Sequence, residues 1–468
     1  MPEKIAEWIE ENQAQLIELS DGVWKVPETA LKEQASAGLL IDALTAAGFQ
    51  METGVAGMPT AFVATYGSGR PVIGILGEYD ALPGLSAAAE PIHKPLVPGG
   101  PGHGCGHNLL GVAGIGAVLA LKEAITAGEI KGTIRYYGCP AEETLTGKVF
   151  MVRDGLFDDV DIALTWHPAS VNSINLGSDQ AMNSAKFKFF GRTAHAAGDP
   201  WNGRSALDAV ELTNVGANYL REHIIQEGRV HYVITNGGLA PNIVPAEAEV
   251  WYYVRAPRRF QVEDIYNRLL KIAEGAAMMT ETRFEVEFLT GCYNTLQNNV
   301  LCDVVYEKMK TVGAPPFDAS DSKFAAEISK TFPDRQKAMS VSRYGPEVAK
   351  QLIDKPLCDI IIPPWGQGAV SGGSTDVADV SWVVPTAQFS TACNALGTAG
   401  HSWQYAAAAG MGIGHKGMLV AAKVMGLTAA ELMRRPELIA QAKEEFCQKT
   451  ADEPYKSPLP AGLKSPLR

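Results

Sequence analysis

A change of rhythm partway along the chain constrains its fold most. Over the first 165 residues, helical stretches at 5–24, 31–47 and 111–125 alternate with strands at 60–66, 72–76, 133–138 and 161–165. A helical turn at 147–153 fits the same alternation. Strands interleaved with helices predict a mainly parallel sheet covered on both faces. Between 184 and 293 the order becomes β-α-β-β-α-β, with strands at 185–190, 230–235, 246–255 and 284–288 and helices at 205–223 and 262–280. That order is the ferredoxin-like motif, and a unit of this kind within an α/β chain reads as an insertion. The expected organisation is an α/β part over residues 1–183, an inserted α+β domain over 184–293, and a return to α/β over 294–468. In the last part, 383–389 reads as a strand and 404–425 as a helix rich in small residues. Residues 315–364 read as an irregular insertion with some helix, and the tail from Glu453 as extended or disordered.

Charge and cysteine usage remove several classes of function. A net charge of −12 argues against a nucleic-acid partner, because phosphate binding needs a basic face. A small anion stays admissible, since a metal or a single arginine acts locally. The seven cysteines are irregularly spaced and include no CxxC, the usage of free thiols in a reducing compartment. The first 15 residues are acidic and amphipathic and contain no signal-peptide core. The apolar stretch 117–127 is interrupted by Lys122 and Glu123 and reads as too short to span a bilayer. A soluble, cytoplasmic protein without a membrane partner is expected.

Candidate chemistry concentrates in a few places. Gly102-His103-Gly104-Cys105-Gly106-His107 sets a thiol and two imidazoles among glycines, just before a long apolar run. Sulfur and imidazole nitrogen hold zinc and related ions, and glycine lets near neighbours turn toward one ion. His103 and His107 stand equally close to Cys105, so spacing alone does not choose between them. The strand at 133–138 runs into Pro140-Ala141-Glu142-Glu143. Adjacent carboxylates raise each other's pKa, and here they sit at the strand edge where α/β sheets place ligands. One can hold a metal while the other handles a proton. His167 ends the next strand, and His401 lies in a loop entering a helix. Cys105, His107, Glu143, His167 and His401 form a borderline-soft set. Five ligands exceed one tetrahedral ion and suit a two-metal site.

In order and rough spacing, Gly77-Glu78-Tyr79-Asp80-Ala81-Leu82-Pro83, Gly104-Cys105-Gly106-His107, Glu142-Glu143, Thr165-Trp166-His167 and Gly400-His401-Ser402 resemble the M20 metallopeptidases, in particular their amidohydrolase branch. The resemblance covers nearly the whole chain. It implies a zinc-peptidase-like α/β catalytic domain carrying a ferredoxin-like lid that also dimerises. It implies that Cys105, His107, Glu143, His167 and His401 bind two divalent ions, Zn²⁺ or Mn²⁺, that Glu142 is the general base, and that Asp80 is an acid beside the metals. His195 matches a lid histidine that reaches a neighbouring active site, and Asn242 and Arg255 match lid residues that grip the substrate's carboxylate. Residues 373–376 fall where the family has a substrate-side loop. The implied activity is hydrolysis of an N-acyl amino acid such as p-aminobenzoyl-glutamate, with indole-acetyl-aspartate or dipeptides as alternatives. A homodimer through the lid is implied, with a related A-type subunit as a possible partner. Two features depart from the branch. Asn108 stands where an Asp usually follows Cys-Gly-His, and the 315–364 insertion has no counterpart in the shorter auxin-type enzymes.

Overall fold

The computed structural model describes residues 2–466. Six strands form the central sheet: β1 (Gln50–Thr53), β2 (Phe62–Ser68), β3 (Val72–Glu78), β4 (Gly132–Cys139), β5 (Ile162–Ala169) and, far along the chain, Thr386–Ala392. The order is β1-β2-β4-β3-β5 followed by the Thr386–Ala392 strand. From β4 onward all neighbours are parallel, while β1 and β2 form an antiparallel edge. Alternation sends successive side chains to opposite faces. Ile73, Ile75 and Tyr136 enter the larger core under the helices Pro2–Glu11, Gln13–Lys25, Gln34–Ala46, His107–Thr126, Asn299–Val312 and Gly412–Arg434. Val72, Leu76 and Tyr137 enter a second core beside the helices Gly147–Arg153 and Val377–Ser381. With both faces buried, these strands carry continuous apolar runs.

The helix His107–Thr126 lies directly on this sheet, and glycine makes the approach possible. A β-carbon on Gly111 would stand 2.6 Å from the Glu78 carbonyl, and one on Gly77 would stand 2.0 Å from the Tyr136 hydroxyl. That hydroxyl donates to the Gly111 carbonyl at 3.0 Å. Gly106 precedes the helix at φ +76°, a left-handed conformation that glycine adopts without strain. The helix thus begins at His107, four residues before the apolar periodicity suggests. Its length also corrects the reading of 117–127 as too short to span: the whole helix is long and apolar enough to cross a membrane. Its apolar faces are instead buried in the protein, with 72% of the most apolar window covered.

The second sheet uses β6 (Ala181–Phe190), β7 (Arg229–Asn236), β8 (Glu247–Ala256) and β9 (Arg283–Cys292), ordered β7-β8-β6-β9 and antiparallel throughout. Helices Ala206–Leu220 and Arg259–Thr280 cover one face, the first capped by Ser205, whose Oγ accepts from the Asp208 N–H at 3.1 Å. Val250, Tyr252 and Val254 of β8 point under these helices. Tyr253 and Arg255 therefore point the other way, toward the central sheet. The Thr386–Ala392 strand completes the numbering as β10.

Elsewhere the structure refines the expectations. The first helical stretch is two helices, and the one at 404–425 is also two, Trp403–Ala408 and Gly412–Arg434. The second break falls where Gly410 packs on the Trp24 ring, 2.7 Å from where a β-carbon would be. The insertion is more helical than expected: it holds helices Ala319–Ser329, Asp334–Ser342 and Pro346–Leu352, with irregular chain from 353 to 364. Helices Asn299–Val312 and Pro436–Thr450 and the short strand β1 were not foreseen. The tail is extended and docked, with Arg258 paired to Glu453 at 2.6 Å and the Tyr455 hydroxyl donating to Asp379 at 2.9 Å. All seven cysteines are unpaired.

Gly111→Ala is expected to cost about 1–3 kcal/mol, the usual penalty for overpacking. Because the added methyl pushes the helix carrying His107 off β3, metal affinity should fall with it. Urea unfolding and metal titration together check this.

Candidate metal centre and active-site cavity

The site grows from the C-terminal ends of β3, β4 and β5. Just past β3, Asp80 is fully buried and uses both carboxylate oxygens. Oδ1 accepts from His107 Nδ1–H at 2.9 Å, and Oδ2 accepts from the Glu143 backbone N–H at 2.9 Å. Burial opposes ionisation of Asp80, but the His107 ring and the Glu143 N–H outweigh it and hold the carboxyl below its usual range. With Nδ1 engaged, His107 turns Nε2 into the site, the usual way an acid orients a metal-binding imidazole. His167, on β5, donates from Nδ1 to the Pro168 carbonyl at 2.7 Å and brings Nε2 to 3.3 Å from Cys105 Sγ.

After β4 the chain makes a tight turn, Glu142–Thr144, flanked by Ala141 at φ +59° and Leu145 at φ +54°. Left-handed backbone is costly for residues with a β-carbon. Bonds to the surroundings hold the turn. Ala141 N–H donates to Glu33 Oε1 at 2.9 Å, and Thr290 Oγ1–H donates to the Leu145 carbonyl at 2.6 Å. Adjacent residues in such a turn point differently, so Glu142 faces His107 and Glu143 faces His401. His401 Nε2 lies 3.3 Å from Glu143 Oε2, and its N–H donates to the Gly104 carbonyl at 3.0 Å. The insertion braces this loop: Gln336 Nε2 donates to the Gly397 carbonyl at 2.7 Å.

Three groups of ligand atoms each fall within 4.8 Å of one another: Cys105 with His107 and His167, Cys105 with Glu143 and His401, and Glu78 with His107 and Glu142. The first two share Cys105 and contain all five expected ligands. His107 Nε2 and Glu143 Oε1 are buried without a hydrogen-bond partner. Orphaned acceptors facing a thiol, imidazoles and carboxylates fit divalent cations, which would satisfy them. Burial pushes the Cys105 thiol up to about 12 and Glu143 up to about 7, and drives Glu142 well above the usual carboxylate range, with Glu78 adding to the effect. Burial also lowers His167 and His401. For His107, burial works against protonation, but Cys105 and Asp80 outweigh it. A bound cation reverses this logic for thiol and carboxylates alike.

His103 belongs to none of these groups. Its Nε2–H donates to the Val23 carbonyl at 3.2 Å, and burial holds its pKa down to about 4. Asn108 points away as well, donating to Ser20 Oγ at 3.1 Å and to the Ala409 carbonyl at 3.0 Å. An acid there would face that carbonyl, so its replacement by an amide suits this packing.

A cavity of about 500 Å³ opens beside the cluster, lined by Cys105, Glu142, Glu143, His167 and His401 on one side and by Tyr253 and Arg255 of β8 on another. Arg255 Nη1 donates to Ser374 Oγ at 3.0 Å, within the 373–376 loop. His195 and Asn242 are not brought there. Both are exposed and lie outside the cavity of their own chain, in segments joined by the Ala196 N–H to Asn242 carbonyl bond of 3.0 Å.

Two buried charges behind the site, Lys148 and Glu33, escaped the sequence reading. Lys148 is fully buried, 2.7 Å from Glu78 Oε1 and 2.6 Å from Asp376 Oδ1. Burial opposes its charge, but Asp376 and Glu78 outweigh it and hold its pKa well above the usual value. Glu78 in turn places Oε2 3.3 Å from His107 Nε2. Glu33, equally buried, accepts from the Leu31 and Ala141 N–H groups at 2.8 and 2.9 Å and from the Thr60 hydroxyl at 3.0 Å. The available signal was the charged residue in an apolar setting: Lys148 heads the run Val149-Phe150-Met151-Val152.

The chain is similar to known proteins over nearly its whole length. A peptidase dimerisation domain matches residues 180–278. The chain is 43% identical to the B-type subunit of p-aminobenzoyl-glutamate hydrolase from Escherichia coli, with 98% of each chain covered. It is 29% identical to the Xaa-Arg dipeptidase of Mus musculus, with 96% of this chain and 93% of that one covered. Among solved structures, a dinuclear metal-binding peptidase of the M20 family from Bacillus subtilis shares the fold, with TM-score 0.58 at 16% identity over 91% of this chain and 99% of that one.

Lys148→Met leaves Glu78 and Asp376 as uncompensated buried charges. It is expected to destabilise the protein by about 3–5 kcal/mol, measurable by chemical denaturation.

Proposed function

The chain belongs to the M20 family of metallopeptidases, and on that premise we propose that it is a metal-dependent amidohydrolase of N-acyl amino acids, p-aminobenzoyl-glutamate foremost. The observation that carries this reading is one cavity bounded by the Cys105-His107-Glu143-His167-His401 cluster and, across from it, by Arg255. Its volume of about 500 Å³ is that of a small-molecule site, large enough for an acylated amino acid.

The five clustered side chains would hold two divalent ions, as the name of the Bacillus subtilis peptidase says of that protein. When bound, such ions acidify water and polarise the scissile carbonyl, which amide hydrolysis near neutral pH requires. The thiolate favours zinc and the carboxylates accept manganese. Glu142 takes the proton of the attacking water and delivers it to the departing amine nitrogen. Arg255 binds the substrate's carboxylate through paired N–H groups, fixing the amide relative to Glu142. His195 and Asn242, exposed on the lid, would serve the site of a second copy of the chain, with His195 stabilising the oxyanion and Asn242 the carboxylate. The exposed Val233 and Ile234 on edge strand β7 and the dimerisation-domain match support such pairing. A related A-type subunit is the alternative partner, since the Escherichia coli relative is named as the B-type subunit of its enzyme. Seven unpaired cysteines support a cytoplasmic location.

Glu142→Ala should retain metal and lose about 10²–10⁴-fold in kcat, the contribution of a positioned proton carrier. Wild-type turnover in that variant would move the base elsewhere. His107→Ala should lower the metal bound per chain, read by elemental analysis; unchanged stoichiometry would remove His107 from the ligand set.

A further inference from the structure

The cavity carries a second charge that has no part in the hydrolysis described so far. Asp179, in the segment between β5 and β6, lines the same cavity as Arg255. Its Oδ2 accepts from Thr295 Oγ1–H at 3.0 Å, and its Oδ1 accepts from the Ser371 hydroxyl. Two neutral donors do not exhaust a carboxylate, which offers about four lone-pair positions. Among the described residues, neither Asp179 nor Arg255 forms an ion pair. The two are nevertheless close to the same short loop. Arg255 donates to Ser374, and a β-carbon on Gly373 would lie 3.9 Å from Asp179 Oδ1. Asn175, Thr295, Gln297, Thr375 and Gln388 supply neutral wall around them.

The cavity therefore holds a separated positive and negative pole, each short of a counter-charge. A substrate that is only anionic satisfies Arg255 but meets repulsion at Asp179. One that also carries an N–H donor satisfies both. We propose that Asp179 is a specificity-determining residue that receives a nitrogen-borne hydrogen-bond donor on the same substrate whose carboxylate Arg255 holds. Two substrate types share that chemistry, an arylamine on the acyl group and a cationic side chain on the amino acid. The inference rests on the amidohydrolase reading and narrows its substrate class.

The test measures kcat/KM with the metal-loaded enzyme for two matched pairs. They are 4-aminobenzoyl-glutamate against benzoyl-glutamate, and alanyl-arginine against alanyl-norleucine. The wild type should prefer the donor-bearing member of one pair by about tenfold to a hundredfold, the weight of one hydrogen bond to a charged group. Asp179→Asn should cut that preference at least several-fold, and the pair that responds identifies the donor. Equal preferences in wild type and variant for both pairs would overturn the proposal. Binding isotherms on the Glu142→Ala background, with and without Asp179→Asn, read the same preference without turnover. Asp179-dependent binding in a wild type that hydrolyses nothing would sustain this inference and fault the hydrolase reading instead.

Discussion

The carboxylate of Asp80 joins the two halves of the candidate metal centre. One oxygen orients the His107 ring and the other holds the Glu143 backbone N–H, each at 2.9 Å. These partners come from elements far apart in the chain: the start of the long core helix and the turn after β4. Because Asp80 follows β3, on which the helix packs and with which β4 pairs, the sheet sets the separation of the ligands. The close seat of the helix on β3, permitted by Gly77 and Gly111, is what brings His107 within reach.

Behind this joint the protein buries charges that are answered by partners. Glu33 receives two backbone N–H groups and a hydroxyl, and Lys148 lies between Glu78 and Asp376. Isolated buried charges are prohibitively expensive, so networks of this kind are stable only when the geometry is complete. The turn bearing Glu142 and Glu143 holds two left-handed residues because Glu33, Asp80 and Thr290 anchor its backbone. Lys148 also ties Glu78, next to His107, to Asp376, at the end of the loop that meets Arg255. The metal side and the substrate side of the cavity share one buried scaffold.

The second sheet contributes by direction. Alternation along β8 buries Val250, Tyr252 and Val254 beneath its helices and leaves Arg255 facing the cavity. Its far end, with His195 and Asn242, stays exposed and out of reach of the cavity in the same chain. A single chain thus supplies a full set of candidate metal ligands but only part of the polar wall that the family resemblance implies.

Much of this was legible in the sequence, and the remainder was lost for physical reasons. Local periodicity showed the alternating α/β part and the β-α-β-β-α-β unit, because burial of one face imposes its period on neighbouring residues. It failed where tertiary contacts decide the boundary. The core helix starts at His107 because Gly106 turns the chain there, and the insertion holds three helices although its composition is polar and proline-rich. Residue type and strand-end position singled out Cys105, the Glu142-Glu143 pair, His167 and His401. Spacing could not choose between His103 and His107, since both lie two residues from Cys105. The family resemblance pointed to His107, and the folded chain separates the two, aiming one ring at the Val23 carbonyl and the other between Asp80 and the cluster. Glu33, Lys148 and Asp179 were equally silent, because a charge in the sequence does not show what surrounds it. The sequence by itself determined the two-part architecture and the residues able to bind metal, both properties of local pattern and side-chain chemistry. Tertiary structure alone decided which of them meet and which charges are left without a counter-ion, because those depend on distances between segments hundreds of residues apart.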